Sequence, residues 1–130
     1  MNKIIYYIII SFLIISCNDD DSTNKSPIVG NWKLSQAKIY VTTKTGEIKL
    51  ETVDYSSKNI KYEFKQNNNL IVTGVDSESL SYSNGNYKYE FKTDYVEIEQ
   101  LKWNSTYSQS TLILDQTYVD GPQLILTKQN

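Results

Sequence analysis

Two kinds of side chain in this 130-residue chain invite a chemical role by type and position: its single cysteine, Cys17, and the glutamates Glu97 and Glu99. Two residues apart on a strand, carboxylates share a face at about 7 Å, a spacing that superficially suits the acid and base of glycoside hydrolysis. Such a pair works only if one carboxyl lies in an apolar pocket that raises its pKa, and the neighbours in sequence give no sign of one. A solvated outer face is the reading favoured for both. Serine and threonine are plentiful, but without histidine a nucleophile needs a lysine base, and no Ser-x-x-Lys motif stands in a suitable setting. The same composition removes His-based triads, His/Cys metal sites and Cys-x-x-Cys redox pairs, and the absence of arginine removes guanidinium forks. No enzyme, cofactor or metal is expected.

Aromatic side chains are the alternative source of a site. Of 11 tyrosines, nine follow residue 16, and a phenol can stack its face on an apolar ring while its hydroxyl donates and accepts. Trp32, Tyr62, Tyr89 and Trp103 are the candidate ligand-binding residues. Core packing competes with that role, because tyrosine is also a good strand former and Trp32 can seal a barrel floor. Trp103 stands beside the polar stretch Asn104-Ser105-Thr106-Tyr107, which places it at a loop edge and makes it the best single contact candidate. Net charge is −2, from 13 basic and 15 acidic residues, so no basic surface excess is offered to nucleic acid.

The elements that would hold these residues begin after a leader. Lys3 precedes an apolar run, Ile4 to Ile15, that is too short for a bilayer core of about 30 Å and matches a signal-peptide core. It ends in Leu13-Ile14-Ile15-Ser16-Cys17, which resembles the lipobox of bacterial lipoproteins. An ordinary secretory leader with a chance cysteine is the bland alternative. The resemblance implies cleavage before Cys17, acylation of its thiol and a membrane held through the lipid anchor, each buried methylene contributing about 0.8 kcal/mol. Residues 1–16 are then the signal peptide, and residues 17–27, rich in Asp, Asn and Ser, a disordered tether. The triplet Asp19-Asp20-Asp21 resembles the signal that sends lipoproteins of the Bacteroidetes type to the outer face of the outer membrane, with a merely acidic linker as the alternative. Calcium is not expected there, because the alternating spacing and glycine of a calcium loop are missing.

From Ile28 onward the apolar period is two. Ile60, Tyr62 and Phe64 share one face, as do Tyr87, Tyr89 and Phe91, and Gln66 to Asn69 turns the first of these strands into Leu70-Ile71-Val72-Thr73. Asn84-Gly85 reads as a turn, as do Thr45-Gly46 and Thr93-Asp94. The alternation slips near Gln36 to Lys38 and again near Glu99-Gln100, and both slips suggest bulges within single strands. With strands at Trp32 to Val41, Ile48 to Val53 and Tyr95 to Trp103, those at Thr111 to Leu114 and Gln123 to Leu126 complete a count of eight, with no helix beyond a short turn. Eight short antiparallel strands are satisfied most simply by an up-and-down barrel, with a sandwich as the rival. Its inward residues, Trp32, Tyr62, Phe64, Tyr89, Phe91 and Trp103, are all large, so any cavity is small and aromatic.

Ile28-Val29-Gly30-Asn31-Trp32, with Gly121-Pro122-Gln123-Leu124-Ile125-Leu126-Thr127-Lys128 as a last strand, resembles the lipocalin-like domains of small Bacteroidetes lipoproteins. The resemblance implies a barrel over residues 28–130 and a small, partly apolar ligand. It also implies that the Gly30-x-Trp32 tryptophan caps one barrel end beneath a late cation, for which Lys128 is the available residue. The expectation is a lipid-anchored protein of the bacterial outer membrane, displayed at the cell surface or facing the periplasm. It would bind a small ligand or an envelope partner, or act as an interaction module whose barrel is filled.

Overall fold

The computed structural model describes residues 25–76 and 80–130, so the leader, Cys17 and residues 18–24 of the tether lie outside the described residues. Nine antiparallel strand segments follow in order: β1 (Gly30–Thr42), β2 (Ile48–Asp54), β3 (Lys61–Phe64), β4 (Asn69–Thr73), β5 (Gly85–Phe91), β6 (Tyr95–Ile98), β7 (Leu101–Tyr107), β8 (Thr111–Asp115) and β9 (Gln123–Lys128). Each pairs with its sequence neighbour or the next but one, and β1 also pairs with β9, which closes the sheet. A sandwich is thereby excluded. β2 and β3 both run along the same edge of β1, opposite Gln36–Thr42 and Gly30–Lys33 respectively, so they are two halves of one interrupted stave. The result is an eight-stave, up-and-down antiparallel barrel with no α-helix among the described residues.

The two phase slips have different causes. In β1, Leu34 faces Leu126 while Gln36 faces Ile125, leaving Ser35 as the extra residue of a bulge. Its hydroxyl donates to the Ile125 carbonyl at 2.8 Å, and the inward set moves from Trp32 and Leu34 to Ala37. A bulge was expected here, one residue further along. Near Glu99 the expectation of a single bulged strand is wrong. Ile98 pairs directly with Leu101, so Glu99 and Gln100 are a two-residue hairpin turn between β6 and β7. Both have positive φ, 47° and 72°, as the right-handed twist of the flanking strands demands of a type I′ turn.

Two further expectations change. Asn84-Gly85 does not make the positive-φ turn expected of it. Instead the Asn84 amide exchanges two hydrogen bonds with the backbone of Val75, accepting from its N–H at 2.8 Å and donating to its carbonyl at 3.0 Å, and so closes the base of the β4–β5 loop. Ser26 and Pro27, expected in the disordered tether, belong to an ordered turn in which the Val29 N–H bonds the Ser26 carbonyl at 3.0 Å. Between β2 and β3, residues 55–60 loop out and press against Gly74, where a Cβ would sit 2.1 Å from the Asn59 carbonyl oxygen. No side chain fits there, and φ of 79° asks for glycine as well.

The core is the barrel interior. Trp32, Leu34, Tyr62, Phe64, Leu70, Ile98, Trp103, Leu112, Leu114, Leu124 and Leu126 are buried, with Ile28 and Ile60 completing the ends. With Tyr89 from β5, they come from the inward positions of every stave, which is how period-two sequences fill a small barrel.

Candidate functional site

All four aromatic candidates point into the barrel. Trp32, Tyr62 and Trp103 are completely buried and Tyr89 nearly so. For Trp103 this corrects the loop-edge placement. Asn104 to Thr106 belong to β7, and the indole is buried in the barrel interior. Its N–H donates to the Tyr82 hydroxyl at 2.8 Å, and that hydroxyl donates onward to the Ile98 carbonyl at 3.3 Å. The Tyr82 ring lies 5.8 Å from the Trp103 ring and 4.9 Å, edge-on, from Tyr87. Tyr82 itself is delivered by the long loop between β4 and β5, and its role went unread because nothing in Ser81-Tyr82-Ser83 signals burial.

Tyr62 sits on β3 opposite both Trp32 and Val72. Its hydroxyl is buried without a hydrogen-bond partner among the described residues, and burial, reinforced by the nearby Tyr82, Tyr87 and Tyr55 phenols, pushes its pKa well above the usual phenol value. Burial also raises Tyr82, to about 12, although the bond from Trp103 opposes the shift. Tyr89 is edge-on to Phe64 at 5.0 Å and donates to the Lys65 carbonyl at 2.7 Å. Tyr62, Tyr82, Tyr89 and the two indoles thus belong to one buried cluster, in which, among the described residues, the Tyr62 hydroxyl is left unsatisfied.

The lower end, where β1 begins and β9 ends, is sealed. The Trp32 indole donates to the Ile28 carbonyl at 2.7 Å, and the Lys128 ammonium lies 4.8 Å from the centre of the Trp32 ring. Gly30, with φ of 138°, makes room for this cap. A Cβ there would stand 3.3 Å from Lys128 Cε. The cation expected over the tryptophan is therefore present, as lysine. Beside this seal an open cleft of about 540 Å³ lies among Pro27, Asn68, Glu90, Phe91 and Tyr107, with Phe91 and Tyr107 edge-on at 5.7 Å. It is a surface feature on the outside of the seal.

The glutamate pair is separated. Glu97 is in β6, facing Glu90 on one side and Lys102 on the other, while Glu99 is in the turn. The Glu99 carboxylate bends back to accept the Lys88 N–H at 2.6 Å, which ties it to β5 as a structural acceptor. The shared strand face assumed for a carboxylate pair does not exist. No group of three or more potential metal ligands occurs among the described residues. Comparison with protein-family models, with curated proteins and with solved structures found no match for this chain.

Proposed function

We propose that this protein is a lipid-anchored component of a bacterial outer membrane whose barrel is a solid body that works through contacts on its exterior, without catalysis. The observation that carries this reading is the burial of Trp32, Tyr62, Phe64, Tyr82, Tyr89 and Trp103 in one interior cluster, with Phe64 on Tyr89 and Tyr82 on Trp103. Side chains of this size fill an eight-stranded barrel and leave the outside as the working surface. The anchor rests on the lipobox-like Leu13 to Cys17, and the ordered turn at Ser26–Val29 supports a tether ending where the barrel's lower end begins.

A second reading, a small ligand held inside, is favoured by one observation. The Tyr62 hydroxyl is buried and unsatisfied, and such groups usually have a partner, protein or otherwise. Native mass spectrometry of the protein purified from its own host separates the two. Polypeptide carrying only its lipid is expected; a co-purifying small molecule lost in Tyr62→Phe would establish the second reading. For the anchor, Cys17→Ser is expected to abolish metabolic labelling by palmitate, and labelling that persists in that variant refutes it.

A further inference from the structure

Closing a barrel normally removes every sheet edge, but here one remains. β1 spans 13 residues, far more than its neighbours, and its upper half runs beyond the wall with β2 as its partner. Among the described residues β2 pairs with β1 alone, so its second edge is open. The backbone groups on that edge can be assigned. Thr43 N–H bonds the Glu47 carbonyl at 2.7 Å and Tyr55 N–H bonds the Ser35 carbonyl at 2.8 Å, so the odd-numbered residues of β2 bond to β1. By the alternation of an antiparallel ladder, the N–H and C=O groups of Ile48, Leu50 and Thr52 face outward.

The side chains along this edge are unusual for a solvated ribbon. Leu50 stands opposite Tyr40 and Ile48 opposite Thr42, all on one face. Tyr40, Leu50 and Ile48 are 38%, 42% and 72% exposed. On the other face Lys49 and Glu51 form an ion pair at 2.6 Å.

We propose that β2 pairs antiparallel with β2 of a second copy of this chain, about a two-fold axis at Leu50. In that register Leu50 meets Leu50 of the second copy, and Ile48 meets Thr52. These are the residues whose backbone groups are free, so each pair exchanges two N–H···O bonds. Lys49 then falls opposite Glu51 of the second copy, twice over by symmetry, at the closer, non-hydrogen-bonded positions where cross-strand charges interact best. Moving the axis one residue either way sets Lys49 against Lys49 or Glu51 against Glu51. The charge pattern therefore selects one register, and the apolar face becomes a four-strand ladder, Tyr40–Leu50–Leu50–Tyr40. Because the contact is isologous it closes at two copies and does not propagate. The pairing needs neither the lipid anchor nor an interior ligand, so it stands or falls independently of the function proposed above.

The test is charge reversal and rescue on the full chain, with mass read by native mass spectrometry from a mild detergent over a concentration series. The wild-type chain is expected to form dimers. Lys49→Glu and Glu51→Lys, at an exposed and a half-buried position of β2 outside the barrel core, are each expected to weaken the dimer at least ~10-fold, because each sets two like-charged pairs across the axis. The double variant Lys49→Glu/Glu51→Lys restores complementarity and is expected to return the affinity to within about 3-fold of the wild type. A wild-type chain that stays monomeric overturns the proposal, as does a dimer indifferent to the single reversals or one that the double exchange fails to rescue.

Discussion

The hydroxyls of Tyr62 and Tyr82 are chemically identical and physically opposite. Tyr82 accepts from Trp103 and donates to Ile98, whereas Tyr62 is buried with nothing to bond among the described residues. Removing each oxygen should therefore move stability in opposite directions. Tyr82→Phe strands the Trp103 N–H in the core and is expected to cost about 1–3 kcal/mol. Tyr62→Phe removes an unpaid desolvation and is expected to be neutral or to stabilise by up to ~1 kcal/mol. Urea denaturation of the two variants checks both, and a clear loss of stability in Tyr62→Phe would mean that the hydroxyl has a partner in solution. The same burial sets an alkaline limit. Tyr82 has a folded pKa raised from 10.0 to about 12, so its neutral form contributes stability fully below pH 10, and that contribution is lost as pH climbs towards 12. Tyr82→Phe should flatten this part of the stability profile.

At the scale of elements, the β6–β7 hairpin carries an avoidable cost. Glu99 and Gln100 both hold positive φ without being glycine or asparagine. Glu99 recovers something through its bond to the Lys88 N–H, but the Gln100 side chain has no comparable bond among the described residues. Gln100→Gly is expected to stabilise the protein by about 1 kcal/mol and raise Tm by about 4 °C or more. A melt that is unchanged or lower would show that the turn is not strained. The turn also explains where the chain is hard to read. A slip in the alternation at Ser35 is a bulge and a slip at Glu99-Gln100 is a reversal, yet both look the same along the chain. Each throws the inward set out of phase, and Glu-Gln has no turn preference to separate the cases. By contrast Gly46, with φ of 85°, and Asn68, with φ of 60°, mark turns through residue types that tolerate that conformation, and both turns were legible.

For the whole molecule the decisive contact is the seam between β1 and β9, which joins distant residues such as Ser35 and Ile125, 90 positions apart along the chain. Every other barrel pairing is closer in sequence, so loop-closure entropy argues that the seam forms last. Leu34 is fully buried at the seam, opposite Leu126. Leu34→Ala is expected to destabilise by about 2–5 kcal/mol, and a late seam puts most of that change into faster unfolding rather than slower folding. Stopped-flow kinetics in urea read the division directly. A refolding rate that falls in proportion to the stability would place the seam in the folding nucleus instead.

The amino-acid sequence on its own determined the strand alternation, most of the turns, the inward aromatics and the want of histidine, arginine and paired cysteines. These are local or compositional properties, and the pleat alone is enough to translate period two into an inner and an outer face. The resemblance carried by Gly30-x-Trp32 implied a late cation over Trp32, and Lys128 stands there. Tertiary structure decided the rest. The Trp103 indole found its hydrogen-bond partner in a tyrosine 21 positions earlier, the glutamate pair was parted by a turn, and among the described residues β2 was left with an open edge because β1 is longer than the wall it closes. Each of these depends on which distant edge or side chain arrives at a given place, and the local pattern carries no record of that arrival.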